Sequence, residues 1–325
     1  MSTVSEWKVP PAVQPRPEDY DFDLEAALSA VVALKATVPE DAFTAEILGT
    51  ERAGNGVVIR KEGVILTIGY LITEAESIWL TTGDGRVVPA TPLGYDQATG
   101  FGLVQALARL DLPALPMGDS HAAALGERVV IAGPGGTEGS VAAQIVAKQE
   151  FAGYWEYVLD EAIFTVPAHP HWGGSAMIGA TGELLGIGSL QLEAAREKGR
   201  RQHLNMIVPI NELKPILNDL MTLGRPNRPP RPWLGLYATE VDNKIVVAGL
   251  ATGGPAQRAS LRTGDIVVSV AGTPPTSLAG FFRQVWALGD AGVEVPLMLQ
   301  RAGRTLEARI ASVDRNSLLK QPRMQ

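Results

Sequence analysis

The sequence predicts a mostly β protein of more than one domain. Short apolar runs alternate with polar residues and are broken by turn residues at regular spacing, the pattern of antiparallel barrels or a sandwich. With 35 glycines and 23 prolines, turns are plentiful, and 46% hydrophobic residues in a chain of 325 suffice for two or three packed cores. The stretch RPNRPPRP (225–232) carries four prolines and three arginines, reads as a stiff extended linker, and separates the strand patterns on either side.

The charge balance and residue inventory remove several function classes. A net charge of −7 argues against nucleic acid or an anionic membrane as main partner. There is no cysteine, which excludes disulfides, thiol catalysis and cysteine-held metals. The four histidines are His121, His169, His171 and His203; none form a helical His-x-x-x-His pair, and His169-Pro170-His171 alone is a poor metal site. No metal and no cofactor is expected. The N-terminus lacks a basic start with an apolar run after it, and no stretch of about 18 apolar residues occurs, so the reading is cytoplasmic with no membrane span.

The elements follow in order. Residues 1–22 are rich in proline and acidic residues and predict an extended arm. LEAALSAVVALKA (24–36) begins with helical spacing and runs into a strand. GNGVVIRKEGVILTIG, SIWLTTGDGRVVPATPLGYD and GLVQALA follow as strands, with hairpin turns at Lys61-Glu62-Gly63 and Gly83-Asp84-Gly85. RVVIAGP, VAAQIVAKQEF, YWEYVLDEAIFTV and GELLGIGSL continue the pattern. A strand is expected at 206–209, then a helix over 212–223 capped by Asn211 and ended by Gly224. After the linker, strands resume at Trp233. LAGFFRQVWAL (278–288) is an amphipathic helix, EVPLMLQRAGRTLEARIA a closing hairpin, and 313–325 a polar tail expected to fray.

Five stretches, GNGVVIRKEGVILT, LPALPMGDS, GATGELLGIGS, MIVPIN and GGPAQRASLRTGDIVVSVAG, occur in an order and spacing that resemble the HtrA (DegP/DegS-type) trypsin-like serine proteases. The resemblance runs from about residue 24 to 311. It implies a trypsin-like double β-barrel followed by a PDZ domain, itself a β-sandwich-like barrel with helices, with the site between the two barrels. The implied division is an arm over 1–22, a double-barrel domain over 23–224, a linker over 225–232, a PDZ domain over 233–312 and a tail over 313–325.

The resemblance also implies where a catalytic triad would stand. The family's base histidine lies in a T-x-x-H-V segment; here the segment is LTIGYLI and the matching residue is Tyr70. The orienting aspartate matches Gly100 in DQATGFGLV, and the nucleophile matches Gly173 in HPHWGGSA. His171 replaces a glycine that shapes the oxyanion loop, and Trp172 precedes the nucleophile position. Independently of any alignment, no histidine precedes residue 121, so the first barrel has none to supply. A phenol of ordinary pKa near 10 is a poor general base at neutral pH. The triad therefore reads as degenerate and the chain as a non-enzyme.

Ser175 keeps two readings. It is a displaced nucleophile served by His169 or His171, or a small packing residue at a second-glycine position. Two residues along a strand is about 6.6 Å, which favours packing. Residues 154–158 (YWEYV) read as barrel packing or an exposed edge, with a ligand cage as the alternative. Residues 193–203 read as a solvated loop or a contact for an acidic partner. GPGGTEG (133–139) lacks the Lys-Ser/Thr of a phosphate loop and reads as a barrel turn.

The resulting function is an inactive HtrA-like homologue, a protein- or peptide-binding scaffold or regulatory or accessory subunit. The alternative is a serine endopeptidase using Ser175 in protein quality control. The resemblance places a carboxylate-binding loop at Trp233, Leu234, Gly235 and Leu236, with Phe282, Val285 and Trp286 lining a pocket for protein or peptide C-termini; the rival occupant is the protein's own linker or tail. It also implies a homotrimer through Tyr20 and Phe22 or a subunit of a larger complex, unless both aromatics fold back on their own barrel.

Overall fold

The computed structural model describes residues 9–195 and 201–320, and these divide into two compact units. One contains the described residues up to Gln149, those of 161–227, and Lys320; the other consists of Glu150–Asp160 and Arg228–Leu319.

In the first unit, α1 (Leu24–Ser29) is capped by Asp23, whose carboxylate accepts from the Ala26 N–H at 3.0 Å. Then come β1 (Val31–Thr37), α2 (Ala45–Leu48), β2 (Glu51–Arg60), β3 (Val64–Ile68), β4 (Ser77–Thr81), β5 (Val87–Tyr95) and β6 (Phe101–Ala106). The six strands close into an antiparallel barrel in the order β1-β2-β3-β6-β5-β4. Leu34, Ile65 and Leu80 face its interior, Leu66 and Phe101 face the other side of the wall, and all five are fully buried. The second barrel is built from β7 (Arg128–Ala132), β8 (Ser140–Gly153), β9 (Tyr157–Val166), β10 (Ala176–Ile178), β11 (Leu184–Ala195) and β12 (Arg201–Pro209), closed in the order β10-β11-β12-β9-β8-β7. Val129, Ile131, Ile163, Met177 and Ile207 form its core.

Several expectations are corrected. The helix expected over 212–223 is a short 3-10 turn, Ile210–Glu212, followed by α3 (Leu217–Leu223). Pro215 is the cause: it lacks an N–H and disfavours helical backbone before it. Asn211 therefore caps no helix, and its side chain donates to Asp119 at 2.6 Å. Over its described residues, 9–22, the arm is not simply extended; residues 1–8 lie outside those described. Prolines start 3-10 turns at Pro11–Val13 and Pro17–Asp19, and Val9 is buried in the core of the second barrel. Tyr20 and Phe22 touch at 5.4 Å, and Phe22 lies over Gly182 of its own barrel. Much of 193–203 is hairpin, with Arg201 donating to Glu193 at 3.0 Å; residues 196–200 lie outside those described.

The second unit contains β13 (Leu236–Val241), β14 (Lys244–Leu250), α4 (Pro255–Arg258), β15 (Ile266–Val270), α5 (Leu278–Trp286), β16 (Glu294–Arg301) and β17 (Arg304–Ala311). The strands form one antiparallel sheet in sequence order, so β13 is an edge. Ser277 caps α5 by accepting the Gly280 N–H at 3.0 Å, and the helix buries Ala279, Phe281, Phe282 and Val285. The tail does not fray at 313, and residues 321–325 lie outside those described. Val313 pairs with Trp233, and Asp314 caps a 3-10 turn at Arg315–Leu318. Among the described residues no helix is long and apolar enough to cross a membrane.

Candidate functional sites

The three positions singled out by the triad argument lie on three loops of the first unit. Tyr70 sits in a 3-10 turn, Gly69–Leu71, at the end of β3. Gly100 lies in the turn before β6, and its carbonyl accepts the Gly69 N–H at 2.7 Å. Gly173 lies in the loop before β10. A Cβ on Gly173 would stand 2.7 Å from the Tyr70 Oη. The fold thus brings Tyr70 and Gly173 into contact and ties Gly100 to the residue beside Tyr70.

The chemistry of Tyr70 follows from its surroundings. Its Oη donates to the Ser189 carbonyl at 2.9 Å. Burial raises the phenol well above its usual value, with a hydrogen bond from the Trp172 side chain opposing. It is protonated at neutral pH and acts as a donor. Gly100 has no side chain to orient anything. The loop after Trp172 is pinned from inside. The Gly173 carbonyl accepts from the Asn55 N–H at 2.8 Å and Asn55 Nδ2 at 2.9 Å. Gly174 has φ +78°, and a Cβ there would lie 2.0 Å from the Asn55 carbonyl, so only glycine fits.

Ser175 is fully buried. Its Oγ donates to the Trp172 carbonyl at 2.8 Å, its N–H reaches the same carbonyl at 3.0 Å, and its carbonyl accepts the Gly188 N–H at 2.8 Å. His169 uses both ring nitrogens elsewhere. Nε2 lies 2.9 Å from the Gly139 carbonyl, so it carries the proton, and Nδ1 accepts the His171 N–H at 3.0 Å. Asn205 holds the His169 backbone by accepting its N–H at 2.7 Å and donating to its carbonyl at 3.0 Å. Burial pushes His169 below the usual histidine range, and the neighbouring His171 adds to that. In a trypsin-like site one oxyanion donor is the amide two residues before the nucleophile position. Here that amide belongs to His171 and points at an imidazole. From sequence, His169 takes a structural or incidental role, with a base for Ser175 as the alternative, and this acceptor role is not revealed. Among the described residues no group of three or more histidines and carboxylates could hold a metal.

The second candidate site is in the other unit. Gly235 has φ +71°, which turns successive amides toward one point. What they meet is the carboxylate of Glu156. Leu234 donates to both oxygens at 3.1 and 3.0 Å, Gly235 to Oε1 at 2.7 Å and Leu236 to Oε1 at 3.2 Å. Glu156 is buried, and burial pushes its carboxyl up to about 7, against the pull of these amides and the charge of Arg315. The Tyr154 carbonyl accepts the Ala238 N–H at 2.9 Å, on the free edge of β13. Arg283 of α5 binds both Glu150 and Asp160. Val158 joins the core that contains Leu236, Phe282 and Val285. Trp286 stacks on Phe282 at 6.0 Å and carries the Arg231 guanidinium over its ring at 4.4 Å. Trp233 lies under Gly235.

The aromatic stretch 154–158, expected as barrel packing or an exposed edge, thus packs with the loop at 233–238. At the amides of 234–236 the acceptor is Glu156 of the hairpin tip, a residue of neither linker nor tail, while Arg231 of the linker covers Trp286. Glu156 was not singled out from sequence. Its only signal there is a lone carboxylate within the run YWEYV.

Residues 54–187 match the trypsin-like peptidase domain family and residues 232–311 the PDZ domain family. A probable periplasmic serine endoprotease, DegP-like, of Hahella chejuensis is 28% identical over 235 residues, 68% of this chain and 49% of that protein. The serine endoprotease DegS of Salmonella typhimurium is 24% identical over 315 residues, 89% of this chain and 84% of that protein. The chain spans about half the length of the DegP-like relatives it matches. Among solved structures, the HtrA-type protease AlgW with a tripeptide aligns with a TM-score of 0.53 at 21% identity, covering 92% of this chain and 97% of that one. A serine endoprotease from Yersinia pestis aligns with a TM-score of 0.51 at 24% identity, covering 90% and 96%. These likenesses support the fold.

Two predictions follow from the site between the barrels. Gly173→Ala places a methyl against the Tyr70 Oη and is expected to destabilise by about 1–3 kcal/mol. In a Tyr70→Phe background the hydroxyl is gone and the cost shrinks. A double-mutant cycle by urea unfolding measures the coupling; strictly additive effects sink the contact argument. The second prediction concerns pH. Folded His169 binds a proton less readily than the unfolded chain, so its contribution is fully present above about pH 6.5 and is lost as pH falls toward the depressed folded value. Unfolding free energies measured between pH 7 and pH 5 should show this decline in the wild type and a shallower one in His169→Gln.

Proposed function

We propose that this chain, which matches a trypsin-like peptidase domain followed by a PDZ domain, is a catalytically inactive homologue of the HtrA-type (DegP/DegS-type) proteases. It acts as a scaffold, regulatory or accessory subunit that binds protein or peptide C-termini. The observation that carries the reading is the contact between Tyr70 and Gly173, with Gly100 tied in through Gly69. A hydrolase needs a nucleophile, a base that can take its proton and a group that orients the base. These positions hold no side chain, a buried phenol that donates, and no side chain.

A second reading, a serine endopeptidase working through Ser175 in protein quality control, is favoured by the relatives, several of which are named serine endoproteases. Against it stand the burial of Ser175, its hydrogen bond to Trp172, and the engagement of both His169 nitrogens. Labelling with a fluorophosphonate probe separates the readings. Covalent labelling that disappears in Ser175→Ala establishes the endopeptidase; absence of labelling together with absence of casein hydrolysis supports the scaffold.

Rebuilding the triad tests how far the site has departed. The triple variant Tyr70→His, Gly100→Asp, Gly173→Ser is expected to remain at least about a hundredfold slower than an intact enzyme of this type, the scale set by loss of one oxyanion donor. The reason is the His171 amide, which stays bound to His169. Casein turnover approaching that of an intact protease would show a site still poised for acyl transfer.

A further inference from the structure

We propose that the hairpin tip Glu150–Asp160 is an internal ligand of the groove between β13 and α5, and that a peptide with a free C-terminal carboxylate and an aliphatic last side chain binds by displacing Glu156. The inference rests on the reading of this unit as a peptide-binding domain and adds what already occupies it.

Four contacts carry the inference. Successive amides of Leu234, Gly235 and Leu236 converge on one carboxylate at 2.7–3.2 Å. Such a concave set of N–H groups is an anion site, and without an acceptor the amides would be buried and unpaired. The Ala238 N–H on the free edge of β13 is met by the Tyr154 carbonyl at 2.9 Å, the start of strand addition. Val158, an aliphatic side chain, is buried with Leu236, Phe282 and Val285. Arg283 on α5 clamps both flanks of the tip through Glu150 and Asp160. Carboxylate, main-chain rung and aliphatic anchor are what an extended C-terminal peptide would present.

The tip also has reason to yield. Glu156 sits at φ +61°, a left-handed conformation that costs a residue with a side chain and persists because docking holds it. A terminal carboxylate can reach the same amides without that backbone strain. The tip, being tethered, competes at a high effective concentration, so the apparent affinity of the wild type for an added peptide is lowered by the fraction of open groove.

The test is fluorescence anisotropy on the full chain with a set of labelled decapeptides ending in valine, each as free acid and as C-terminal amide. Glu156→Ala should raise free-acid affinity at least tenfold and leave amide binding weak. Glu150→Ala with Asp160→Ala changes only the flanks of the tip, leaves the groove itself intact, and should give a severalfold gain in the same direction. Equal free-acid affinity in the wild type and both variants overturns the internal-ligand inference while peptide binding stands. No binding of either form to any of the three proteins removes the peptide-binding reading along with it. Equal binding of acid and amide overturns the carboxylate argument.

Discussion

The second unit depends on one buried carboxylate meeting its donors. Its residues come from two distant parts of the chain, Glu150–Asp160 and Arg228–Leu319, and Glu156 joins them. Neither side can be buried alone. A carboxylate taken out of water without partners is costly, and so are three amides left without an acceptor. Gly235 makes the joint feasible, because its φ of +71° lets consecutive N–H groups face one oxygen pair. Burial and hydrogen bonding then oppose each other at the carboxyl, with burial the larger effect, leaving it near 7. The apolar part of the joint, Val158 within the Leu236, Phe282 and Val285 core, supplies packing that such a polar contact does not.

The loop before β10 shows the same accounting of polar groups on a smaller scale. Three of its backbone groups find partners within the first unit: the Trp172 carbonyl through Ser175, the Gly173 carbonyl through Asn55, and the His171 amide through His169. Gly174 lies against the Asn55 carbonyl, closer than any side chain permits. The glycines keep the loop's path while its hydrogen bonds hold it shut. A serine hydroxyl buried in such a network is a structural donor, since moving it would strand the Trp172 carbonyl.

Much of this was legible in the sequence because it rests on local rules. Alternating apolar residues and turn glycines marked the strands, and the proline-arginine stretch marked the break between the two strand patterns. Asp23 and Ser277 precede their helices as polar caps should. The positions of Tyr70 and Gly173 were accessible because the family resemblance singles out both, although their contact was not. What stayed hidden depends on long-range placement or on a single local veto. Pro215 overrode the apolar periodicity of 212–223 and shortened the helix to Leu217–Leu223. Glu156 could not be recognised, because nothing near it in the chain shows that a loop about 80 residues later will turn three amides toward it. His169 was visible as a histidine, but its acceptor role toward His171 depends on Asn205 and Gly139 fixing its backbone and ring.

The two sites, described each in its own unit, answer one chemical question in the same way. A trypsin-like oxyanion loop and a carboxylate-binding loop both work by leaving backbone N–H groups aimed at a place where negative charge will arrive. In this chain amides of both loops meet an acceptor supplied by the protein: the His169 Nδ1 for the His171 amide, and the Glu156 carboxylate for the amides at 234–236. The acceptors differ in kind, and that difference decides what can follow. A neutral imidazole fixed at its other nitrogen by the Gly139 carbonyl, with its backbone held by Asn205, is part of a closed network. A carboxylate on a strained hairpin tip belongs to the same chemical class as a peptide terminus, so a ligand can take its place amide for amide.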